Sequence, residues 1–381
     1  MNKMKVVFLT GMLNHHQRAF SESMLELCEY HLIATEDTAG VGYQKPMDAD
    51  YVVHWYKDEE KDLAKNLIRE ADVAIFGGCP LELVDLRMKE NKLSFLYSER
   101  FFKKGTWRRF IPKTRKAIQN KIGKYKDKNM YVLCASAYLP YDLSFFGFPT
   151  EKCFKWGYFP EIKQYDDIDS IVENKTHTSI LWAGRFIDWK HPEKAIKVAK
   201  HLKKNGYDFS LKMAGDGPMK ARIEKMIIKH NLSENVKLLG SMKPEELRLE
   251  MERAGIYLFT SNRKEGWGAV INEAMNSACA VIADCSAGAT PFMVEDNVTG
   301  FLYGNGNAKE LYSKVKYLLD HPNKEKEMCK KAYQSIILNW NAKVAAERLV
   351  ALSNAIINGE STDLYKEGPC SKARILKDNW R

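Results

Sequence analysis

The stretch Arg263-Lys-Glu-Gly-Trp-Gly-Ala-Val-Ile-Asn-Glu-Ala-Met275 follows an apolar run, Gly255-Ile-Tyr-Leu-Phe-Thr260, that is typical of a buried strand. Residues 269–278 have the pattern of a helix, so the turn between the two lies at the carboxyl end of a strand. Open parallel sheets bind ligands at such ends, and the unpaired amides at a helix start favour a phosphate. The stretch therefore predicts an α/β fold with a ligand site at this turn.

Two glutamates bracket the turn, Glu265 and Glu273. Eight helical steps place their carboxylates at most roughly 12 Å apart, and Gly266 and Gly268 let a ligand approach the main chain. An ionised Glu accepts hydrogen bonds from hydroxyls but repels phosphates. A ligand that spans both glutamates would therefore carry hydroxyls at its ends and phosphates between them, as does a sugar joined through diphosphate to ribose. Alternatively, Glu273 is an exposed helix residue and Glu265 is favoured only by the helix dipole.

The phosphates of such a ligand need cations, which the segment Gly184-Arg-Phe-Ile-Asp-Trp-Lys190 supplies directly after a predicted strand. Arg185 can grip two phosphate oxygens through its guanidinium, and Lys190 adds a mobile point charge. The alternative is that both are surface charges, the usual role of Arg and Lys on a loop. Their position after Gly184 at a strand end, taken with the glutamate pair, favours the ligand role.

Length and composition predict a soluble two-domain protein with a core in each domain, since the chain has 381 residues. The run Val6-Val-Phe-Leu9 is too short for a signal peptide and is interpreted as the first strand, and no stretch has the apolar length to cross a bilayer. The eight cysteines lack Cys-x-x-Cys spacing. This favours a reducing cytoplasm and argues against a zinc site or a disulfide framework.

The net charge of +10 is concentrated in one segment, because residues 103–128 contain eleven Lys and Arg side chains against the single acid Asp127. Aromatic residues, among them Phe101, Trp107 and Phe110, lie in and beside this segment. Residues 101–128 therefore predict an amphipathic surface for peripheral contact with an anionic membrane, at the cytoplasmic leaflet. A solvated basic helix is the alternative.

Apolar strand-like runs alternate with helical patterns in two sets, which is the signature of parallel sheets with crossover helices. The predicted strands are 6–9, 73–76, 93–97 and 130–134 in the first set, and 179–183, 209–214, 236–239, 256–260 and 280–283 in the second. The predicted domains are an N-terminal Rossmann-like domain over 1–160, a linker over 161–178, a second Rossmann-like domain over 179–340, and a helix and tail over 341–381. We expect that tail to pack back towards the N-terminal domain or to fray.

Four fragments follow one another along the second half of the chain. They are Gly184-Arg185 with Lys190, Ala214-Gly-Asp-Gly-Pro218, Gly240-Ser-Met-Lys-Pro-Glu-Glu246, and Glu265 with Glu273. In this order and spacing they resemble the GT-B glycosyltransferases of the large retaining family 4, glycosyl transferases group 1, of the type that makes bacterial cell-surface polysaccharides. The resemblance implies two Rossmann-like, doubly wound parallel-sheet domains facing a cleft, with the N-terminal domain binding the acceptor and the second domain binding the nucleotide sugar.

The resemblance also implies residue roles, with Arg185, Lys190 and Glu265 acting in catalysis. Glu265 and the amides after it would contact the donor sugar, Glu273 would accept the ribose hydroxyls, and the loop after Gly240 would hold the base. The implied donor-binding residues are Gly184, Arg185, Lys190, Gly215, Ser241, Met242, Glu265, Gly266, Trp267, Gly268 and Glu273. Two structural alternatives stay open, since Trp267 could pack under the turn and Gly215-Asp-Gly217 could be only a tight turn.

The first domain departs from the family pattern at two strand ends. Gly11-Met-Leu-Asn-His-His-Gln-Arg18 stands where many members have a Gly-Gly loop, and Gly77 or Gly78 stands where a histidine is often found. Candidate acceptor-site residues in the first loop are Gly11, Asn14, His15 and His16. Asn14 could instead cap the following helix, and the histidines could be packing residues.

A third strand end in this domain carries Glu99 and Arg100. These side chains suit acceptor hydroxyl or phosphate groups, and a salt bridge is the alternative.

The implied reaction moves a sugar, with retention, from a UDP- or GDP-sugar to a saccharide or lipid-linked saccharide acceptor. No metal and no cofactor beyond the nucleotide sugar as co-substrate are expected, because two cations can neutralise the diphosphate. Asp48-Ala-Asp50 and Asp167-Ile-Asp169 resemble a metal-binding Asp-x-Asp, a pattern short enough to arise by chance.

Parts of the sequence also bear on three rival functions. A NAD-dependent enzyme is disfavoured because no Gly-x-Gly-x-x-Gly follows the first strand. The basic segment motivates a nucleic-acid-binding protein, whose affinity would fall steeply with salt, but no nucleic acid partner is expected. A non-catalytic nucleotide-sugar-binding protein is the third, suggested by Gly77 and Gly78.

Overall fold

The computed structural model describes residues 3–37 and 47–380, which form two compact units. The first unit comprises Met1–Glu161 with Asn339–Lys377, and the second comprises Ile162–Leu338 with Asp378–Arg381. Each is built on a parallel sheet with crossover helices, so the predicted α/β class is confirmed for both.

The first sheet has seven parallel strands in the order β3-β2-β1-β4-β5-β6-β7. Its strands are β1 (Lys5–Thr10), β2 (Glu29–Ala34), β3 (Val52–His54), β4 (Val73–Phe76), β5 (Ser94–Ser98), β6 (Met130–Cys134) and β7 (Cys153–Lys155). The helices between them are α1 (His15–Leu27), α2 (Lys61–Glu70), α3 (Leu81–Lys89), α4 (Pro112–Lys121) and α5 (Leu139–Ser144). All four residues of β4 are buried, as expected for a central strand of a parallel sheet.

The second sheet has six parallel strands in the order β10-β9-β8-β11-β12-β13. Its strands are β8 (Thr176–Ala183), β9 (Ser210–Ala214), β10 (Val236–Gly240), β11 (Ala254–Phe259), β12 (Ala280–Asp284) and β13 (Gly300–Tyr303). Its helices are α6 (Ile168–Glu173), α7 (Pro192–Lys204), α8 (Lys220–Lys229), α9 (Pro244–Arg253), α10 (Val270–Asn276), α11 (Thr290–Met293), α12 (Ala308–Asp320) and α13 (Pro322–Leu338).

The strand order reverses once in each sheet, between β1 and β4 in the first and between β8 and β11 in the second. At such a point the crossover helices leave to opposite faces, which opens a crevice beyond the carboxyl ends of the two strands. The loops after these four strands are therefore where a ligand is expected in each unit.

Of the predicted linker 161–178, residues 162–178 are part of the second unit. These residues form α6 and the start of β8. Buried Lys175 fixes this segment to the sheet, because its Nζ donates to the carbonyls of Met251, Glu252, Ala254 and Ser277 at 2.9 to 3.1 Å. The polar composition that suggested a linker reflects this hydrogen-bonded anchor.

The last helix, α14 (Ala342–Ile357), lies in the first unit and packs against α1. Beyond it the chain runs along β7, where Cys370 N donates to Lys155 O and Ala373 N donates to Cys153 O, at 2.9 and 3.0 Å. No helix in the described part of the chain is long and apolar enough to span a membrane.

Candidate functional site

The loop after β8 carries both predicted phosphate-binding cations. Arg185 is exposed, with its guanidinium carbon 5.7 Å from the centre of the Trp189 ring, and it forms no ion pair with another described residue. Lys190 is largely buried, with 15% of its side chain exposed, and its Nζ lies 2.5 Å from Glu265 Oε2. The structure thus brings together two residues that lie 75 positions apart in the sequence.

The Lys190–Glu265 ion pair spans the strand-order reversal, because Lys190 follows β8 and Glu265 follows β11. Both side chains are about 15% exposed, so water screens the pair only in part. Such a pair restricts the position of the ammonium at the strand ends. Two of the predicted catalytic residues therefore share one site.

The Gly215-Asp-Gly217 turn supports the loop after β8 by close backbone packing. Gly215 has φ +125°, and a Cβ there would lie 2.0 Å from Gly184 O. Phe186 N donates to Asp216 O at 2.8 Å, and Gly215 N donates to Gly240 O at 2.6 Å. The glycine is thus explained by packing, which favours the tight-turn interpretation of this fragment.

The loop after β10 presents the residues predicted to hold a base. Ser241 is exposed and Met242 is half-buried. Lys243 N donates to the Glu246 carboxylate at 3.1 Å, which fixes the start of α9.

The Gly-Trp-Gly turn after β11 is rigid. The Trp267 indole is fully buried and donates to Asn272 Oδ1 at 3.1 Å, so its side chain packs under the turn. Gly268 has φ +98°, and a Cβ there would lie 2.6 Å from the Phe259 ring. Only the backbone of Trp267 can serve a ligand, and Gly266 at the head of the turn is buried.

Glu273 lies on α10 and is half-buried. Burial raises the pKa of its carboxyl, and the charge of Arg248 offsets part of this rise. Ionisation of this carboxyl is therefore unfavourable unless hydrogen-bond donors stabilise the carboxylate.

Sequence reasoning missed a buried polar cluster at the end of β12. Asp284 is fully buried, and its carboxylate accepts from the Ser286 hydroxyl at 2.6 Å, from Gly306 N at 2.9 Å and from Lys194 Nζ at 3.3 Å. The loop after Asp284 in turn contacts the Glu265 turn, since Gly288 N donates to Glu265 O at 3.3 Å. An acidic residue at a strand end was the one available sequence signal.

A cavity of about 630 Å³ lies at the strand-order reversal of the first unit. Of the predicted acceptor residues, Asn14, His16, Glu99 and Arg100 line it, whereas Gly11 and His15 do not. Sequence reasoning did not select the other polar lining residues, which are Thr10, Gln17, Tyr97, Ser98, Lys103, Lys104, Arg108, Lys121 and Tyr158.

Three of these predicted residues also have structural partners. Asn14 caps α1, accepting from His16 N at 2.9 Å. Arg100 is buried and pairs with Asp142 at 3.0 Å, so the salt-bridge alternative holds for it. Glu99 accepts from Lys103 and, at 2.6 Å, from the Tyr158 hydroxyl.

The two histidines differ in environment. His15 is exposed, and His16 is half-buried with its ring stacked on Tyr158 at 5.7 Å. Burial, with a smaller effect from His15, lowers the pKa of His16 to about 4, so its imidazole is neutral at neutral pH. His16 is therefore the histidine placed to contact a ligand.

The two Asp-x-Asp patterns have structural partners. Asp48 lies 3.3 Å from the His54 ring, and Asp167 caps α6 by accepting from Ser170 N. Among residues 3–37 and 47–380, no group of three or more His, Cys, Asp or Glu side chains is arranged to hold a metal ion.

The two Rossmann-like parallel-sheet units have the GT-B fold. Residues 164–335, which lie within the second unit, match the family model described as glycosyl transferases group 1. The solved structure of Anabaena HepE in complex with UDP shares the fold, with a TM-score of 0.67 over 93% of this chain and 100% of that chain at 15% identity.

Curated relatives match less than half of the chain. Alpha-D-kanosaminyltransferase of Streptomyces kanamyceticus is 28% identical over 177 residues, which is 46% of this chain and 45% of that protein. Poly(ribitol-phosphate) alpha-N-acetylglucosaminyltransferase of Staphylococcus aureus strain COL is 29% identical over 173 residues, 45% of this chain and 34% of that protein. The chain thus spans less than half the length of these relatives.

Proposed function

We propose that the chain is a retaining, metal-independent glycosyltransferase of the hexosyltransferase type. It would move a sugar from a UDP- or GDP-sugar to a saccharide or lipid-linked saccharide acceptor in cell-surface polysaccharide synthesis. The observation that carries the proposal is the Lys190–Glu265 ion pair at the strand-order reversal of the family-matched unit. The names of the relatives, two sugar transferases and a fold neighbour solved with UDP, support it.

In the proposed donor site, cationic side chains bind the diphosphate of the ligand and carboxylates bind its hydroxyl groups. Arg185 has no carboxylate partner among the described residues, so its guanidinium is available to the diphosphate. Lys190 has three donors and can hold a phosphate oxygen while it keeps its contact with Glu265. Glu265 then accepts from sugar hydroxyls, and Glu273 accepts from ribose hydroxyls, which offsets the cost of its burial.

In the proposed reaction the acceptor hydroxyl attacks the anomeric carbon on the face from which the diphosphate departs. The bond from that carbon to the diphosphate oxygen breaks, and this oxygen takes the hydroxyl proton. Neither glutamate acts as a nucleophile. Catalysis then rests on positioning the substrates and on stabilising the charge that develops on the diphosphate, which Arg185 and Lys190 provide.

A thermal-shift screen of UDP-, GDP- and ADP-sugars tests the donor assignment. A donor at a hundred times its dissociation constant stabilises the folded state by about 2.7 kcal/mol, so a true donor raises the melting temperature measurably. We expect Arg185→Ala and Lys190→Ala to lose this shift. Arg222→Ala and Lys225→Ala, which change exposed residues of α8, are the matched controls. No shift with any nucleotide sugar would count against the proposal.

Product analysis separates a transferase from a protein that only binds nucleotide sugars. With a shift-active donor we expect slow hydrolysis and transfer to an acceptor, and an α-linked product from an α-linked donor by NMR. If the donor binds but no acceptor leads to release of nucleoside diphosphate, the chain is instead a non-catalytic nucleotide-sugar-binding protein. A β-linked product from an α-linked donor would exclude retention.

We further propose that residues 101–128 dock the protein on the cytoplasmic face of an anionic membrane. Trp107 and Phe110 are 60% and 73% exposed, next to the basic side chains of Arg108 and Arg109. Co-sedimentation should occur with anionic but not with neutral vesicles, and Trp107→Ser with Phe110→Ser should weaken it. Equal behaviour with both vesicle types contradicts the docking.

A further inference from the structure

The cavity of the first unit carries a charge that the proposed function does not yet explain. It lies beyond the carboxyl ends of β1, β4 and β5, and its size suits a ligand of sugar dimensions. The lining residues include five basic side chains and, within the part of the chain that the structure describes, one acidic side chain, Glu99.

Two of the five cations are neutralised by protein partners. Arg100 pairs with Asp142, and Lys103 pairs with Glu99. The remaining three, which form no ion pair with another described residue, are Lys104, Arg108 and Lys121. The cavity therefore presents about three uncompensated positive charges.

Lys121 is the most informative of the three because it is partly buried. Its ammonium lies 5.6 Å from the centre of the Phe101 ring, at the C-terminal end of α4, whose dipole stabilises the charge in part. Burial lowers the pKa of Lys121. Burial raises the pKa of the neighbouring Cys79 thiol to about 12, so this thiol is neutral and offers no counter-charge. A desolvated ammonium without a carboxylate partner is costly unless an anion joins it.

The cavity lining also offers uncharged hydrogen-bonding groups. His16 Nδ1 and Gln17 Oε1 are buried and have no hydrogen-bond partner among the described residues. Both residues line the cavity. Buried polar atoms of this kind are normally satisfied, and ligand hydroxyls would satisfy them. The lining thus combines groups that suit hydroxyls with cations that suit an oxyanion.

From this arrangement we propose that the cavity binds a phosphate or diphosphate group of the acceptor, with Lys104, Arg108 and Lys121 as its ligands and the acceptor hydroxyls against His16 and Gln17. The identification of the ligand as the acceptor rests on the proposed function, whereas the anion site itself does not depend on it. The phosphate could belong to a lipid headgroup or to a soluble sugar or polyol phosphate.

Chemical protection of lysines in the full chain tests the site directly. Limited acetylation followed by mass spectrometry is carried out with and without inorganic pyrophosphate. We expect pyrophosphate to protect Lys121 and Lys104 at least threefold and to leave Lys116 unchanged. Lys116 lies on the same helix as Lys121 but is exposed outside the cavity, so it is the internal control. Unchanged labelling of Lys121 overturns the inference.

Variants locate the bound anion. Pyrophosphate affinity at the cavity, read from protection of Lys104, should fall about tenfold in Lys121→Met and in Arg108→Gln, but not in Lys116→Met, which makes the same change in charge. Protection of Lys190 alone, lost in Arg185→Ala, would mean that pyrophosphate binds only at the donor site. That result would overturn the cavity proposal and leave the proposed function intact. A donor screen with no thermal shift, together with protection of Lys121, would overturn the proposed function and leave the anion site intact.

Two further probes distinguish the source of the phosphate. Glycerol 1-phosphate and vesicles of phosphatidylglycerol are compared for protection of Lys121 at equal phosphate concentration, with phosphatidylcholine vesicles as the control. Protection by glycerol 1-phosphate supports a soluble phosphate, and protection by anionic vesicles alone supports a lipid-linked one. Protection by phosphatidylcholine equal to that by phosphatidylglycerol contradicts a specific anion site.

Discussion

Replacing Gly215 with alanine tests whether the turn after β9 supports the donor loop by close packing. The added Cβ would lie 2.0 Å from Gly184 O, more than 1 Å inside a normal contact, at φ +125°. Backbone strain of this kind costs about 1 to 3 kcal/mol, and an overpacked contact costs a similar amount. We therefore expect Gly215→Ala to lower the free energy of unfolding by about 4 kcal/mol. For a unit of this size that corresponds to a fall in melting temperature of roughly 8 to 16 °C.

Gly240→Ala is the matched control for this prediction. Gly240 ends the neighbouring strand and also has positive φ, +73°, but a Cβ there meets no atom within 4 Å. It should therefore show the dihedral cost alone, about 1 kcal/mol. The two variants are compared by calorimetry, and the donor-induced thermal shift is measured in each. Melting temperatures within 2 °C of each other would refute the packing argument, as would an undiminished donor shift in Gly215→Ala.

Three further predictions follow from the sites. Turnover should be unchanged in excess chelator, because Arg185 and Lys190 take the place of a metal, and activity abolished by chelator and restored by manganese would contradict this. Lys190→Met leaves Glu265 unpaired and should lower the free energy of unfolding in urea by about 1 to 3 kcal/mol. The double variant with Glu265→Gln should recover at least half of this loss. Additive losses in the double variant would show that the two side chains do not couple. The pKa of His16 is lowered to about 4 in the folded state, whereas an unfolded histidine has a pKa of about 6.5. As the pH falls from about 6.5 to about 4, the unfolded state therefore binds this proton before the folded state does, and the free energy of unfolding decreases. This decrease should be smaller in His16→Gln than in the wild type. Parallel pH profiles of the two proteins would refute the last prediction.

The sequence predicted the central strands well and the edges of the sheets poorly. The predicted strands 73–76 and 130–134 coincide with β4 and β6, because both are continuous apolar runs. The strands β2, β3, β7 and β13 were not identified. The last three lie at sheet edges and have only three or four residues, too few to give a periodic signal, whereas β2 is an interior strand of six residues.

The positions of the donor loops were predictable because turn glycines and charged residues follow apolar strands. Their mutual contacts were not, since Lys190 meets Glu265 only when β8 and β11 become neighbours. The same holds for Arg100, whose partner Asp142 lies 42 residues away on α5. Local sequence gives the residue types at each strand end, while the topology decides which of them pair.

The side chains of the basic segment 101–128 fall into two groups in the structure. Its charge and aromatic residues suggested one amphipathic surface. In the structure Trp107 and Phe110 are exposed, whereas Lys104, Arg108 and Lys121 line the cavity of the first unit. Helical periodicity does not reveal this division, because the cavity is formed with β1, β4 and β5 from elsewhere in the chain.

The central claim is that Arg185 and Lys190 stabilise the departing diphosphate of a nucleotide sugar. The most direct measurement is the turnover of Arg185→Ala and Lys190→Ala with the donor found by the screen, compared with Arg222→Ala and Lys225→Ala. We predict a loss on the order of a hundredfold or more in each of the first two and near-normal rates in the controls. Near-normal turnover in both Arg185→Ala and Lys190→Ala would contradict the account.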